Sequence, residues 1–339
     1  TAMSETKHYP ENETVYVPQF LLSDVIEGAE AILHPAFVVN GRAVRGIYVA
    51  KYLASVDAES GRARACRGCD PAVRIDLDAA SDAARKNGAG YHLMTAAEWG
   101  AVALLCRKNG FLPYGNNGDG KDVRETAYTA TVSYRDDEKG IVRTATGSGP
   151  DTWNHNGRAD GIADLNGNVW EWNAGMRLVY GELQFLTSPF ADASADSDAW
   201  RALDGSTGDF IVPRGDGQTE NAVKLDYRDG VWVYVRDGVE SLHKGARFCD
   251  FAAARAEGLC RRAEVLLRAY ALLPEGDRAA YDGVSLYANN GASERIPFRG
   301  GRWGQGLNAG LFKTCIDDPR TYAGDAVGFR YAYIDPEEL

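Results

Sequence analysis

The sequence predicts an α+β fold, and three observations carry that expectation. Short alternating runs flank two turn dipeptides, Asn40-Gly41 and Asp229-Gly230; helical patterns with clear end signals occur three times; and there is no internal repeat or long linker. Both dipeptides readily supply the two positive φ angles of a tight hairpin. AFVVN and RAVRGIYVAKY flank the first. NAVKLDYR and VWVYVRD flank the second, with Val223, Leu225 and Tyr227 alternating against Val231, Val233 and Val235. Among the helices, DLDAASDAARKN (76–87) is stopped by Gly88, and Thr95 with Glu98 forms a capping box ahead of WGAVALLCRK. The third, CRRAEVLLRAYALL, gathers Leu259, Ala263, Leu266, Leu267, Tyr270 and Leu273 on one face before Pro274. The polar run DASADSDAW (192–200) opens an insertion that reaches to about residue 290.

Bulk properties narrow the function. The chain has 339 residues, 45% hydrophobic and 10% aromatic, enough to bury a large core. Its formal charge of −11 and pI near 5.0 argue against a sequence-independent nucleic-acid binder or an anionic-membrane binder, which need clustered Lys and Arg. No apolar run is long enough to span a membrane, so no membrane insertion is expected, and the opening segment lacks the form of a secretion signal. The first three residues, Thr1-Ala2-Met3, read as an addition before a native start at Met3. Six cysteines in so long a chain do not make a disulfide scaffold. Cys66 and Cys69 form a C-x-x-C, but a zinc site needs about four ligands and no second pair stands at suitable spacing. Cys106 and Cys260 fall on helices as packed thiols.

Four aromatic signatures remain. YHLMTAAEW (91–99), DLNGNVWEW (164–172), FRGGRW (298–303) and GFR (328–330) occur in one order, after GIYVAKY. Singly, each reads as a turn entering a core strand, with Gly167 freeing the backbone and the tryptophans supplying buried area. Together they resemble the formylglycine-generating-enzyme subtype of the C-type lectin fold, over about residues 34–190 and 296–334. Within that subtype, the frame FRGG-x-W-x-x-G-x-x-A-G-L-F, a mixed run and then GFR resembles the variable proteins diversified by retroelements.

The resemblance implies an N-terminal lead-in (1–30), one lectin-like domain (31–339) with the insertion at about 192–290, and a variable ligand-binding segment at 298–330. Phe298, Trp303, Phe312 and Phe329 would lock the frame while Gly300, Gly301, Gly306 and Gly310 permit its turns. The positions implied to vary and to bind ligand are Arg302, Gly304, Gln305, Leu307, Asn308, Lys313, Cys315, Asp317, Asp318, Tyr322, Gly324, Asp325 and Ala326. A rigid frame carrying interchangeable side chains is how antibody paratopes work. Diversification in the family replaces adenines, usually in Asn codons; Gln305 and Lys313 are not reachable that way. The partner implied is a protein or glycan receptor on a cell surface, met by a phage tail or from a bacterial cell surface.

An enzyme reading stands against this, since the resembled family includes a copper-dependent oxidase. That chemistry needs a pair of thiols in the closing segment, where this chain has Cys315 alone. Iron-dependent relatives use added histidines; His8, His34, His92, His155 and His243 include no pair at helical ligand spacing. No enzyme activity is therefore expected. A third reading is an undiversified structural or lectin-like tail component. No cofactor is required, but the resemblance implies a structural calcium on Asp164, the carbonyls of Gly167 and Val169, and Glu171, all hard oxygen donors. GNNGDGKD (115–122) also looks calcium-like. It lacks the later bidentate glutamate and reads as a polar surface loop.

Overall fold

The computed structural model describes residues 12–236 and 238–339. The opening segment, on which the readings of Met3 and of the secretion signal rest, lies outside the described residues, as does His8. Both expected hairpins form. Val38–Val39 pairs with Arg42–Ala43 across Asn40 and Gly41, and Lys224–Arg228 pairs with Val231–Val235 across Asp229 and Gly230; all four turn residues have positive φ.

The three helices also form. Leu77–Arg85 starts at Asp76, whose carboxylate accepts from Ala79 N at 2.8 Å. Ala96–Lys108 carries the Thr95/Glu98 capping box, and Thr95→Ala should cost about 1 kcal/mol in a urea-unfolding measurement. The third, Arg261–Ala269, stops earlier than expected, because Ala271 turns the backbone to φ 51° before Pro274 is reached. No helix among the described residues is long and apolar enough to cross a membrane.

The strands bring the sequence signatures together. In one sheet the order is Thr14–Pro18, Gly46–Ala50, Tyr331–Tyr333, Tyr91–Leu93. The chain's last strand thus lies between GIYVAKY and YHL. Thr14–Pro18 pairs along its length with Gly46–Ala50, so this part of the expected lead-in belongs to the domain. In a second sheet, Trp170–Trp172 pairs antiparallel with Ile296–Gly300 and parallel with Val327–Phe329. Ile296–Gly300 in turn pairs with Gly310–Asp318. Three of the four aromatic motifs are therefore on adjacent strands, and a shared core of Trp170, Trp172, Phe298, Phe329 and Tyr331 fills the space beside them.

The insertion is integrated in two ways. Its first strands extend a third sheet begun by Met176–Val179 and Glu182–Phe185. Two others, Arg247–Asp250 and Ser285–Ala288, continue the second sheet, with Ser285–Ala288 running parallel to Gly310–Asp318. It braces the closing segment directly.

Candidate binding site

The frame behaves as a frame. Phe298, Trp303, Phe312 and Phe329 are all buried. Phe298 packs against Trp170 and Trp172, with ring centroids 5.3 and 4.9 Å away. Trp303 donates its indole N–H to Gly140 O at 2.7 Å, and Phe312 meets Tyr281 edge-on. Arg299 is fully buried, its guanidinium held by the carbonyls of Tyr270 and Ala271 and by Thr314 Oγ1; burial lowers its pKa to about 10.

Around this frame lies a cavity of about 440 Å³. Nine of the thirteen positions implied to vary line it: Arg302, Gln305, Asn308, Lys313, Cys315, Asp317, Asp318, Tyr322 and Ala326. Residues 313–327 were expected to be a mixed, unpatterned run. Instead Gly310–Asp318 is a nine-residue strand, so 313, 315 and 317 share a face. Trp170, Phe298 and Val327 complete the wall from the frame, and Phe248, Ser285 and Tyr287 come from the insertion. Sequence reasoning missed these last three. Ser285-Leu286-Tyr287-Ala288 alternates like a strand, but nothing in it shows which strand it will join.

Four expected positions lie outside the cavity. Leu307 is exposed on the surface, and Asp325 pairs with Arg74. A Cβ at Gly324 would stand 2.4 Å from the Tyr322 hydroxyl. Gly304 has φ +68°, with a built Cβ 3.0 Å from Asp119 Oδ1, so most side chains there would be strained. Two positions inside it also differ from an exposed contact surface. Lys313 and Cys315 are only 4% and 6% exposed and form the cavity floor, because the central strand is covered on both faces. Substituting them is therefore not free of cost to the core.

Lys313 donates to Ser285 Oγ and Asn308 Oδ1, and burial lowers its pKa to about 8. Burial raises the Cys315 thiol, and the nearby Asp318 and Asp317 raise it further. That is the opposite of what a metal-binding or redox thiolate needs. Buried Cys249 is kept away by the intervening strand: it lies opposite Leu286, which lies opposite Thr314. The closing segment thus brings no second thiol to Cys315. At the rim, Arg302 lies over the Trp303 ring at 5.3 Å, and Tyr322 stacks on Phe298 at 6.3 Å while staying 40% exposed.

A larger cavity of about 600 Å³ lies between the segment 22–41 and the helix Arg261–Ala269. It is mostly apolar and contains none of the expected binding positions.

Of the residues implied to hold calcium, Glu171 is engaged by an arginine. Both carboxylate oxygens of Glu171 accept from the Arg330 guanidinium, at 2.9 and 3.1 Å, and both residues are buried. A fixed positive charge already holds this expected ligand. Asp164 accepts from Gly147 N at 2.7 Å through one oxygen, while its other oxygen is buried with no partner. Among the described residues, no three His, Cys, Asp or Glu side chains are placed to hold a metal, Cys66 and Cys69 included. The loop 115–122 is likewise no surface loop. Asn116, Asn117 and Asp122 are buried, and Asn116 O receives Asn168 N at 2.7 Å. Gly167 makes room for this contact: at φ +77° a Cβ would stand 2.1 Å from Asn116 O.

Burial raises the Asp164 pKa from 3.8 to about 6. A raised folded pKa means that the stabilising contribution is full below about pH 4 and lost as pH rises through 6. Asp164→Asn, which suits the residue's φ of 62°, should therefore gain stability over the parent chain as pH rises from 4 to 7. Thermal melts at the two pH values check this.

No family model and no curated protein matches the chain. Among solved structures it is similar to the Major Tropism Determinant U1 variant, with 10% identity over 98% of this chain and 66% of that one, at a TM-score of 0.34. It is also similar to the I1 variant, with 10% identity over 94% and 62% of the chains, at 0.33. PvdO from Pseudomonas aeruginosa is similar with 16% identity over 95% and 92%, at 0.32. The chain spans less than two thirds of the two tropism-determinant chains. What the site can do follows from its own geometry.

Proposed function

We propose that this chain is a receptor-binding protein whose recognition site is the cavity beside Gly310–Asp318. One observation carries this reading: nine positions picked out by the motif frame converge on one cavity whose aromatic frame is buried and fixed. Side chains at the rim, chiefly Arg302, Asn308, Asp317, Asp318 and Tyr322, are exposed or half-buried, while Lys313 and Cys315 set the floor. On the motif resemblance, the rim is diversified by a retroelement and serves host recognition by a phage or prophage. An oxidase of the formylglycine type gains no support from a buried Cys315 without a neighbouring thiol.

Tyr and Arg side chains dominate recognition interfaces, and both are present at this rim. In a screen against arrays of bacterial surface proteins and glycans, a ligand should emerge whose affinity falls about tenfold or more in Tyr322→Ala and in Arg302→Ala, with stability within about 0.5 kcal/mol of the parent. A ligand indifferent to both substitutions would remove the cavity as the site. A large stability loss would place those two side chains in the frame instead.

A further inference from the structure

Granted that the cavity is the recognition site, the geometry points to its ligand class: a protein partner that inserts a lysine or arginine side chain, its charge seated at Asp317 and Asp318 between two stacked aromatic pairs. Phe248 stacks on Tyr287 with centroids 6.3 Å apart and planes 16° apart; Phe298 and Tyr322 are likewise 6.3 Å and 30° apart. Phe248 is 61% exposed, so its ring face is open to an incoming group. Aromatic faces attract cations through their quadrupole.

The acids are unspent. Among the described residues, neither Asp317 nor Asp318 holds a side-chain hydrogen bond or a contact ion pair. Burial and then the adjacent Asp317 raise the Asp318 pKa, and Arg295 acts on it only from beyond contact. Tyr287, Tyr322 and both acids line the same cavity. A cation placed there relieves the repulsion between the carboxylates, which a neutral sugar hydroxyl does not.

The positive groups of the cavity do not fill this role. Lys313 is four residues along the strand from Asp317, roughly 13 Å at about 3.3 Å per residue, and its ammonium is bound to Ser285 and Asn308. Arg302 rests over Trp303. The chain's net charge of −11 favours encounter with a cationic surface.

The test uses the full chain and four probes: N-acetyl-lysine methylamide, N-acetyl-arginine methylamide, the neutral N-acetyl-norleucine methylamide, and a panel of neutral methyl glycosides. Binding is followed by NMR titration. The cationic amides are expected to bind about tenfold or more tightly than the norleucine amide, and to weaken as salt rises. Asp317→Asn/Asp318→Asn should lose about tenfold in cation affinity. If the double variant does not fold, each single variant should show a smaller loss in the same direction. Equal binding of the norleucine amide, unchanged cation affinity in a folded acid variant, or no cation binding would each overturn the inference. Glycoside binding lost in Tyr322→Ala, without cation binding, would overturn it and leave the cavity standing as the recognition site. No probe binding together with no array ligand would overturn both.

Discussion

Arg330→Met should lower stability by about 3–5 kcal/mol, read as a fall in the urea midpoint with an unchanged slope. Arg330 is fully buried, and besides both oxygens of Glu171 it serves Ala50 O at 2.7 Å and Ala163 O at 2.8 Å. It thereby joins the sheet holding Gly46–Ala50 to the sheet holding Trp170–Trp172. Removing it leaves the Glu171 carboxylate buried without its counter-charge; burial, and in addition the nearby Asp164, already raise the Glu171 pKa. The destabilisation comes mainly from that orphaned charge, so Arg330→Met/Glu171→Gln should recover a substantial part of the loss. It should not recover all of it, because the two carbonyls stay unserved. A double variant as unstable as the single one would mean that the carbonyl contacts, and not the ion pair, hold the sheets together.

Phe298→Ala should cost about 3–5 kcal/mol and also abolish ligand binding. The ring is 2% exposed, fills the space between Trp170 and Trp172, and is the surface on which Tyr322 stacks. Truncation opens a void in the core and removes one wall of the cavity. Tyr322→Ala makes the useful contrast, since it should affect binding with little change in stability. Chemical unfolding of both variants beside the binding assay separates the roles. Equal stability losses would mean that frame and contact surface are not distinct.

Much of this was legible in the sequence because the signals are local. Asn40-Gly41 and Asp229-Gly230 fix their turns by backbone preference, and the Thr95/Glu98 capping box marks a helix start wherever the chain places it. The aromatic motifs likewise announced a frame. What was hidden depends on distant partners. Lys313-Thr314-Cys315-Ile316 does not alternate as a half-exposed strand would, because Gly310–Asp318 is covered on both faces, so it read as irregular. Ser285–Ala288 and Thr14–Pro18 join sheets through residues far away in sequence. The polar loop at 115–122 is buried because its own side chains satisfy it: Asp122 accepts from Gly115 N, Asn117 Nδ2 and Arg124. At Glu171, the carboxylate's partner is Arg330, which is close only in the fold.

The central claim, a fixed frame displaying exchangeable side chains in one cavity, is tested most directly by sequencing the DNA downstream of the gene and searching for a near-copy of the stretch that encodes residues 298–330. The expected result is a copy beside a reverse-transcriptase gene that differs at adenines, with the differences falling on rim codons such as Arg302, Asp317, Asp318 and Tyr322 and sparing Phe298, Trp303, Phe312 and Phe329. No copy anywhere in the genome, or differences scattered over the buried aromatic codons, would contradict it.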